Sequence, residues 1–182
     1  MIQIIEGANI SEKDVMTFNS AWKITFEKDI DILFSPNLHP KDIHFFLHDK
    51  NSLVAIGRYR FITGIMVGSI PYSKDVWGRA DIGVCGTKGQ GYGKKIISLM
   101  SEYALKNNMV SCIGFHGKKT TLSEFYRKCG LIVNESIGER FIKNSNGEVT
   151  NMGHTNVSHF KNDPFIEAVL ASKDNVEIPF SW

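Results

Sequence analysis

The chain has 182 residues, 42% of them apolar and 22% charged, with 21 Lys and Arg against 19 Asp and Glu. That composition suits a single folded domain over 1–182 with a sizeable core and excludes a disordered chain. The near balance of charge, +2 net, argues against nucleic acid as a partner, and no apolar run reaches the roughly 18 residues that would cross a membrane.

In chain order, residues 2–6 read as a strand, with no basic region ahead of an apolar segment as a signal peptide would have. Ser11 and Asp14 have capping-box spacing, and Val15, Phe18, Trp22 and Phe26 then recur at helical spacing as a core face. Residues 29–40 read as a loop, 43–47 as a short strand and 49–52 as a turn. Residues 53–70 are rich in β-branched and aromatic side chains and read as one long or bent strand. Gly57, Gly64 and Gly68 inside it mark bulges or close backbone approach. A polar connection over 72–78 carries Trp77, and 79–85 is the next strand. After a glycine-rich segment, Ile96, Leu99, Met100, Tyr103 and Ala104 follow helical spacing. A strand is expected over 110–115 and a helix over 122–129 with Gly130 as its C-cap. Late strands over 137–142 and 155–160 are joined by a turn at 144–147. Strands and helices mix throughout, so the expected class is α/β or α+β, a mixed sheet with helices packed on it.

Cys85, Cys112 and Cys129 are odd in number and form no Cys-x-x-Cys pair. They read as small core residues in a reducing cytoplasm rather than as a disulfide framework or zinc site. His44 and His48 share a face, but Phe45 stands where a His-Glu-x-x-His motif needs its glutamate. No metal is expected.

The segment Gly86-Thr87-Lys88-Gly89-Gln90-Gly91-Tyr92-Gly93-Lys94-Lys95 carries the most chemistry. A strand runs into four glycines and a helix follows. Glycines permit positive φ and close approach, so successive backbone N–H groups converge on one point. The helix N-terminus adds partial positive charge, and three lysines add more. A phosphate or pyrophosphate is the natural guest. A P-loop is excluded because Tyr92 stands at its lysine, and a dinucleotide or kinase glycine motif because Lys94 stands at the last glycine. A plain glycine-rich surface turn is the alternative.

Lys88-Gly89-Gln90-Gly91-Tyr92-Gly93 resembles the Arg/Gln-x-x-Gly-x-Gly/Ala signature of the GNAT superfamily of N-acetyltransferases. Ile82-Gly83-Val84 resembles the strand before that loop, and Leu122 to Leu131, with Phe125-Tyr126-Arg127-Lys128-Cys129-Gly130, resembles the family's later helix. Lys88 departs from the usual Arg or Gln, and the connection from Val84 is a residue short. The resemblance implies a mainly antiparallel sheet whose two central parallel strands splay around the pantetheine arm of acetyl-CoA, the co-substrate. It implies cofactor contacts at Val84, Lys88, Gly89, Gln90, Gly91, Tyr92, Gly93 and Lys94, with backbone amides near Val84 and Cys85 polarising the thioester carbonyl. Gly83 suits the bulge that relatives carry. An amine attacks the acetyl carbonyl directly. Asp81 is the candidate proton acceptor, acting through water, and a salt bridge is its alternative reading. Tyr126 matches the family's acid for the departing thiolate, and packing on the cofactor is its alternative.

Larger features resemble the aminoglycoside 2′-N-acetyltransferases: the length, the stretch 43–59 and the tail ending at Trp182. That resemblance implies acceptor contacts at Asp31 and Trp182, while His116 and Trp77 are placed to line the acceptor site. Arg58 and Arg60 speak against a surface made for polycations. The expected partner is a small-molecule amine, with no nucleic acid and no membrane, and the resemblance leaves a homodimer open. A protein N-acetyltransferase and a non-catalytic acyl-CoA-binding module are the other readings.

Overall fold

The computed structural model describes residues 1–26, 39–118, 120–145, 148–151 and 155–179. Its elements are β1 (Ile2–Glu6), α1 (Glu12–Phe26), β2 (Ile43–Asp49), β3 (Ser52–Ile62), β4 (Met66–Val67), β5 (Ile70–Pro71), β6 (Val76–Val84), α2 (Tyr92–Lys106), β7 (Cys112–Gly117), α3 (Thr120–Lys128), β8 (Ile132–Asn134), β9 (Phe141–Ser145), β10 (Glu148–Asn151), β11 (Thr155–His159), α4 (Pro164–Ser172) and β12 (Val176–Pro179). A sheet with helices packed on it is the class the residue pattern implies, and its mixed, mainly antiparallel pairing is what the family resemblance implies. The chain divides into two compact units, Met1–Arg60 with Arg79–Tyr103 and Phe61–Gly78 with Ala104–Trp182.

In the first unit the strands lie in the order β1-β2-β3-β6. The α1 start is the expected capping box: the Asp14 N–H donates to Ser11 Oγ and the Ser11 N–H to Asp14 Oδ2, both at 3.2 Å. Lys50 and Asn51 both have positive φ, the signature of a tight type I′ turn between β2 and β3. Alternation along β2 gives each face its own helix. Phe18 of α1 packs edge-on against His44 and Phe46, while Phe45 packs against Tyr59 and Tyr103 of α2. Gly57 is a close approach, as expected: a Cβ there would lie 2.6 Å from Met100 Sδ. Phe26 departs from the core assignment. It is 40% exposed and rests on Trp22, ring centroids 4.5 Å apart.

In the second unit the order is β6-β7-β11-β8. The parallel β6–β7 ladder covers Trp77↔Cys112 and Gly78↔Ile113, and β11 pairs antiparallel with both β7 and β8. A second sheet runs β10-β9-β12-β4-β5. Its core is built on Ile113, Phe141, Val157, Phe165 and Ile178.

Two strand expectations change. The long strand over 53–70 ends at Ile62, because Gly64 and Gly68 adopt positive φ and turn the chain rather than bulge it. The strand expected from 137 is a 3-10 turn over Ile137–Arg140, set by Asn134 Oδ1, which accepts from the Ser136 and Ile137 N–H groups. Helix α4 and β12 go beyond the sequence reading. Asp163 caps α4 by accepting from the Phe165 and Ile166 N–H groups, and its other oxygen accepts from Cys112 N–H at 3.2 Å. The expected turn at 144–147 falls partly in β9, and 146–147 lie outside the described residues. No helix among the described residues is long and apolar enough to cross a membrane.

Candidate active site

The glycine segment follows directly from the end of β6. The N–H groups of Cys85 and Gly86 both donate to Val54 O, at 3.1 and 3.0 Å, which fixes where the segment leaves the sheet. Its other end is fixed by Tyr92, whose hydroxyl donates to Asp49 Oδ2 at 2.8 Å. That bond pushes the Tyr92 phenol up from its ordinary value. Between the two anchors, residues 87–91 are exposed. Gly89 has φ +84° and Gly91 φ +74°, and a Cβ added at either would meet nothing within 4 Å. Both need glycine for their conformation, and both leave backbone open to solvent.

Helix α2 starts there. The Lys95 N–H donates to Gly91 O at 3.0 Å, the first helical bond. The N–H groups of Tyr92, Gly93 and Lys94 therefore have no carbonyl to meet within the helix. Gly91, lacking a side chain, cannot cap them as Ser or Asp would. Lys88, Lys94 and Lys95 are all exposed. Free donors, helix dipole, open glycine backbone and three cations form a local setting fitted to a diphosphate. Val84, the last residue of β6, is half-buried beside this segment.

Asp81 lies on β6 with φ +52°. The left-handed residue of this strand is thus Asp81, two residues before Gly83, where the resemblance implies a bulge. Asp is among the few side chains that tolerate that conformation. Gly83 has another reason to be small: a Cβ there would sit 2.8 Å from Thr25 Oγ1. The Asp81 carboxylate is held from two sides. Arg58, only 2% exposed, reaches Oδ2 at 2.5 Å, and the Trp22 indole N–H donates to Oδ1 at 3.3 Å. Both partners are long-range and neither was singled out for this role from the sequence. The available signal was an arginine pair, Arg58 and Arg60, inside an otherwise apolar strand. Burial and the neighbouring Arg58 push the Arg60 guanidinium down from its ordinary value, against Asp81 and Asp42.

Removing one member of a buried ion pair leaves the other charge uncompensated. Arg58→Met is therefore expected to cost about 3 kcal/mol. In thermal melts that is a fall of roughly 6–12 °C for a chain of this size. Adding Asp81→Asn should recover part of the loss, because Asn tolerates positive φ and still accepts from Trp22. Full additivity of the two substitutions would show that the pair is not coupled.

His44, fully buried under Phe18, is a core residue. Burial first, and then the Arg58 cation, lower its pKa to about 3, against a hydrogen bond that the ring donates to the Ile5 backbone and the charge of Asp14. The unfolded chain takes up this proton below the ordinary histidine value of 6.5, whereas the folded chain resists until about 3. Stability from the neutral imidazole is thus complete above pH 6.5 and drains away as pH falls toward 3, by about 1.4 kcal/mol per pH unit. Between pH 7 and pH 5 the wild type should lose about 2 kcal/mol more than His44→Phe, measured by denaturant unfolding. Equal losses would contradict the assignment.

In the second unit, Tyr126 is half-buried on α3. Its ring lies over the imidazole of His116 on β7, centroids 4.7 Å apart and planes inclined by 31°. His116 is 8% exposed. The helix ends as expected at Gly130, φ +83°. Its Schellman pair runs from the Leu131 N–H to Tyr126 O and from the Gly130 N–H to Arg127 O. Trp77 is not a loop aromatic. It is a β6 residue whose N–H donates to Ser111 O at 2.9 Å and whose ring packs against Phe61 at 5.4 Å. The strand begins earlier than its polar flank suggested. Asp31 and Trp182 lie outside the described residues.

No family model and no curated protein sequence matches the chain. Solved structures do match in shape. Escherichia coli ElaA is similar at 12% identity over 88% of this chain and 99% of its own, with a TM-score of 0.63. An acyl-CoA N-acyltransferase from Pseudomonas aeruginosa is similar at 10% identity over 88% and 99%, with a TM-score of 0.60. A GNAT family acetyltransferase from Elizabethkingia anophelis, solved with acetyl-CoA bound, is similar at 11% identity over 88% and 97%, with a TM-score of 0.50. These likenesses in shape show that the chain has the fold of the GNAT acetyltransferases.

Proposed function

We propose that residues 1–182 work as one acetyl-CoA-dependent N-acetyltransferase domain, a cytoplasmic enzyme acting on a small primary amine. The observation that carries this reading is the open backbone at Gly89 and Gly91, leading into the uncapped first turn of α2. In it the N–H groups of residues 92–94 receive the diphosphate of coenzyme A, with Lys88, Lys94 and the backbone from Val84 to Gly93 around it.

The proposed chemistry is direct attack. An alkyl amine is mostly protonated at neutral pH, so a proton must leave before it attacks the acetyl carbonyl. Asp81, with lone pairs left beyond its bonds to Arg58 and Trp22, accepts that proton through a water. Tyr126 gives its phenolic proton to the departing thiolate. Cys85 is no acyl carrier in this scheme. Burial pushes its thiol up from the ordinary value, which makes a thiolate scarce at neutral pH.

Arg58, Arg60 and Arg79, buried or half-buried on β3 and β6, oppose a polycationic acceptor beside Asp81. Simple monoamines therefore head the list of acceptors, ahead of aminoglycosides and peptides. A panel of all three classes, scored by free thiol released from acetyl-CoA, tests the reading. Turnover with a monoamine supports it. Acetyl-CoA binding without thiol release for any amine would instead identify a non-catalytic acyl-CoA-binding module.

A further inference from the structure

We infer that His116 is a positioning residue for Tyr126, fixing the angle of the phenol that protonates the thiolate, rather than a residue that lines the acceptor site. The inference rests on the acyl-transfer reading above. It starts from the place of the imidazole. His116 is buried on β7, and the Tyr126 ring lies across its face at 4.7 Å rather than meeting its edge. Stacked rings fix each other's orientation. The imidazole is itself fixed, since its Nδ1 lies 3.2 Å from Gly117 O. A carbonyl only accepts, so Nδ1 carries the hydrogen of that bond.

A second contact holds the same helix independently. Asn156, 3% exposed, is the register partner of His116 across the β7–β11 ladder. Its Nδ2 donates to Ser123 Oγ at 2.8 Å. Ser123 lies one turn before Tyr126 on the same side of α3. The strand pair thus holds α3 at Ser123 by a hydrogen bond and at Tyr126 by a ring face. Loss of the ring face leaves the Ser123 clasp in place, so α3 stays docked while the Tyr126 ring keeps its edge contact with Phe125, centroids 5.4 Å apart, and loses the face that sets its angle. A proton donor misplaced by an ångström loses rate without losing ligand affinity.

The test uses acetyl-CoA with hydroxylamine, a small neutral nucleophile that needs neither a recognition site nor a base, and reads thiol release. His116→Leu fills the volume without a flat ring; His116→Phe restores one. Leu is expected to lower kcat about tenfold with the KM for acetyl-CoA unchanged, and Phe to recover most of the loss. In a Tyr126→Phe background, His116→Leu should have no further effect on kcat. An equal tenfold loss in that background, or no loss in the wild-type background, overturns the positioning role. A Leu variant that does not fold leaves the decision to Phe: a tenfold loss there would equally overturn it. If Tyr126→Phe alone keeps full kcat, or the wild type releases no thiol, the acyl-transfer reading fails first and the inference with it.

Discussion

Tyr126→Phe is expected to lower kcat about 100-fold at neutral pH while acetyl-CoA affinity stays within about twofold, the usual scale for losing a general acid. The substitution keeps the ring, and so keeps the stack on His116. Only the proton is lost. A thiol has an ordinary pKa of about 8.5, so a thiolate leaves unaided more readily as pH rises past that value. The defect should therefore narrow between about pH 7 and pH 9. A packing role predicts the opposite pattern: kcat intact, with affinity altered if the ring touches the cofactor. Initial rates of thiol release across that pH range, beside calorimetric affinities, separate the two.

Gly91→Asp is expected to weaken acetyl-CoA binding by at least about 100-fold. Two effects add. A non-glycine residue at φ +74° bears a left-handed strain of roughly 1–2 kcal/mol. The new carboxylate also stands where the free N–H groups of α2 attract an anion, and repulsion at about 4 Å near a protein surface is worth up to about 4 kcal/mol. Gly91→Ala separates these effects. A Cβ there meets nothing within 4 Å, so alanine brings strain without collision or charge and should lose about tenfold. Equal losses for Ala and Asp would mean that backbone conformation, not charge, governs the site. Unchanged binding in both would remove the loop from the cofactor site.

Local signals in the sequence were legible. The strand at Ile2–Glu6, the Ser11–Asp14 box, the run from a strand through glycines into α2 and the Gly130 cap depend on neighbours a few residues apart, and each appears as read. Asp163-Pro164 carried an equally local helix-start signal, an N-cap followed by Pro at N1. What the sequence hid was pairing across distance. Nothing near Asp81 announces that Arg58 and Trp22 hold it, 23 and 59 residues away. Nothing near Tyr126 announces the imidazole beneath it, because that depends on the rotation of α3 against β7. Gly64 and Gly68 show the remaining ambiguity: a glycine in an apolar run marks equally a bulge, a close approach or a break, and φ and the space around a Cβ decide.

In the proposed function the backbone from Gly89 through Lys94 grips the diphosphate of coenzyme A. Amide chemical shifts of the labelled protein, followed while coenzyme A is added, test it most directly. The largest changes should fall on the N–H groups of Gly89, Gly91, Tyr92, Gly93 and Lys94, and dephosphorylated pantetheine should leave them unmoved. Saturable binding whose changes spare those amides, or pantetheine moving them as far as coenzyme A does, would contradict it.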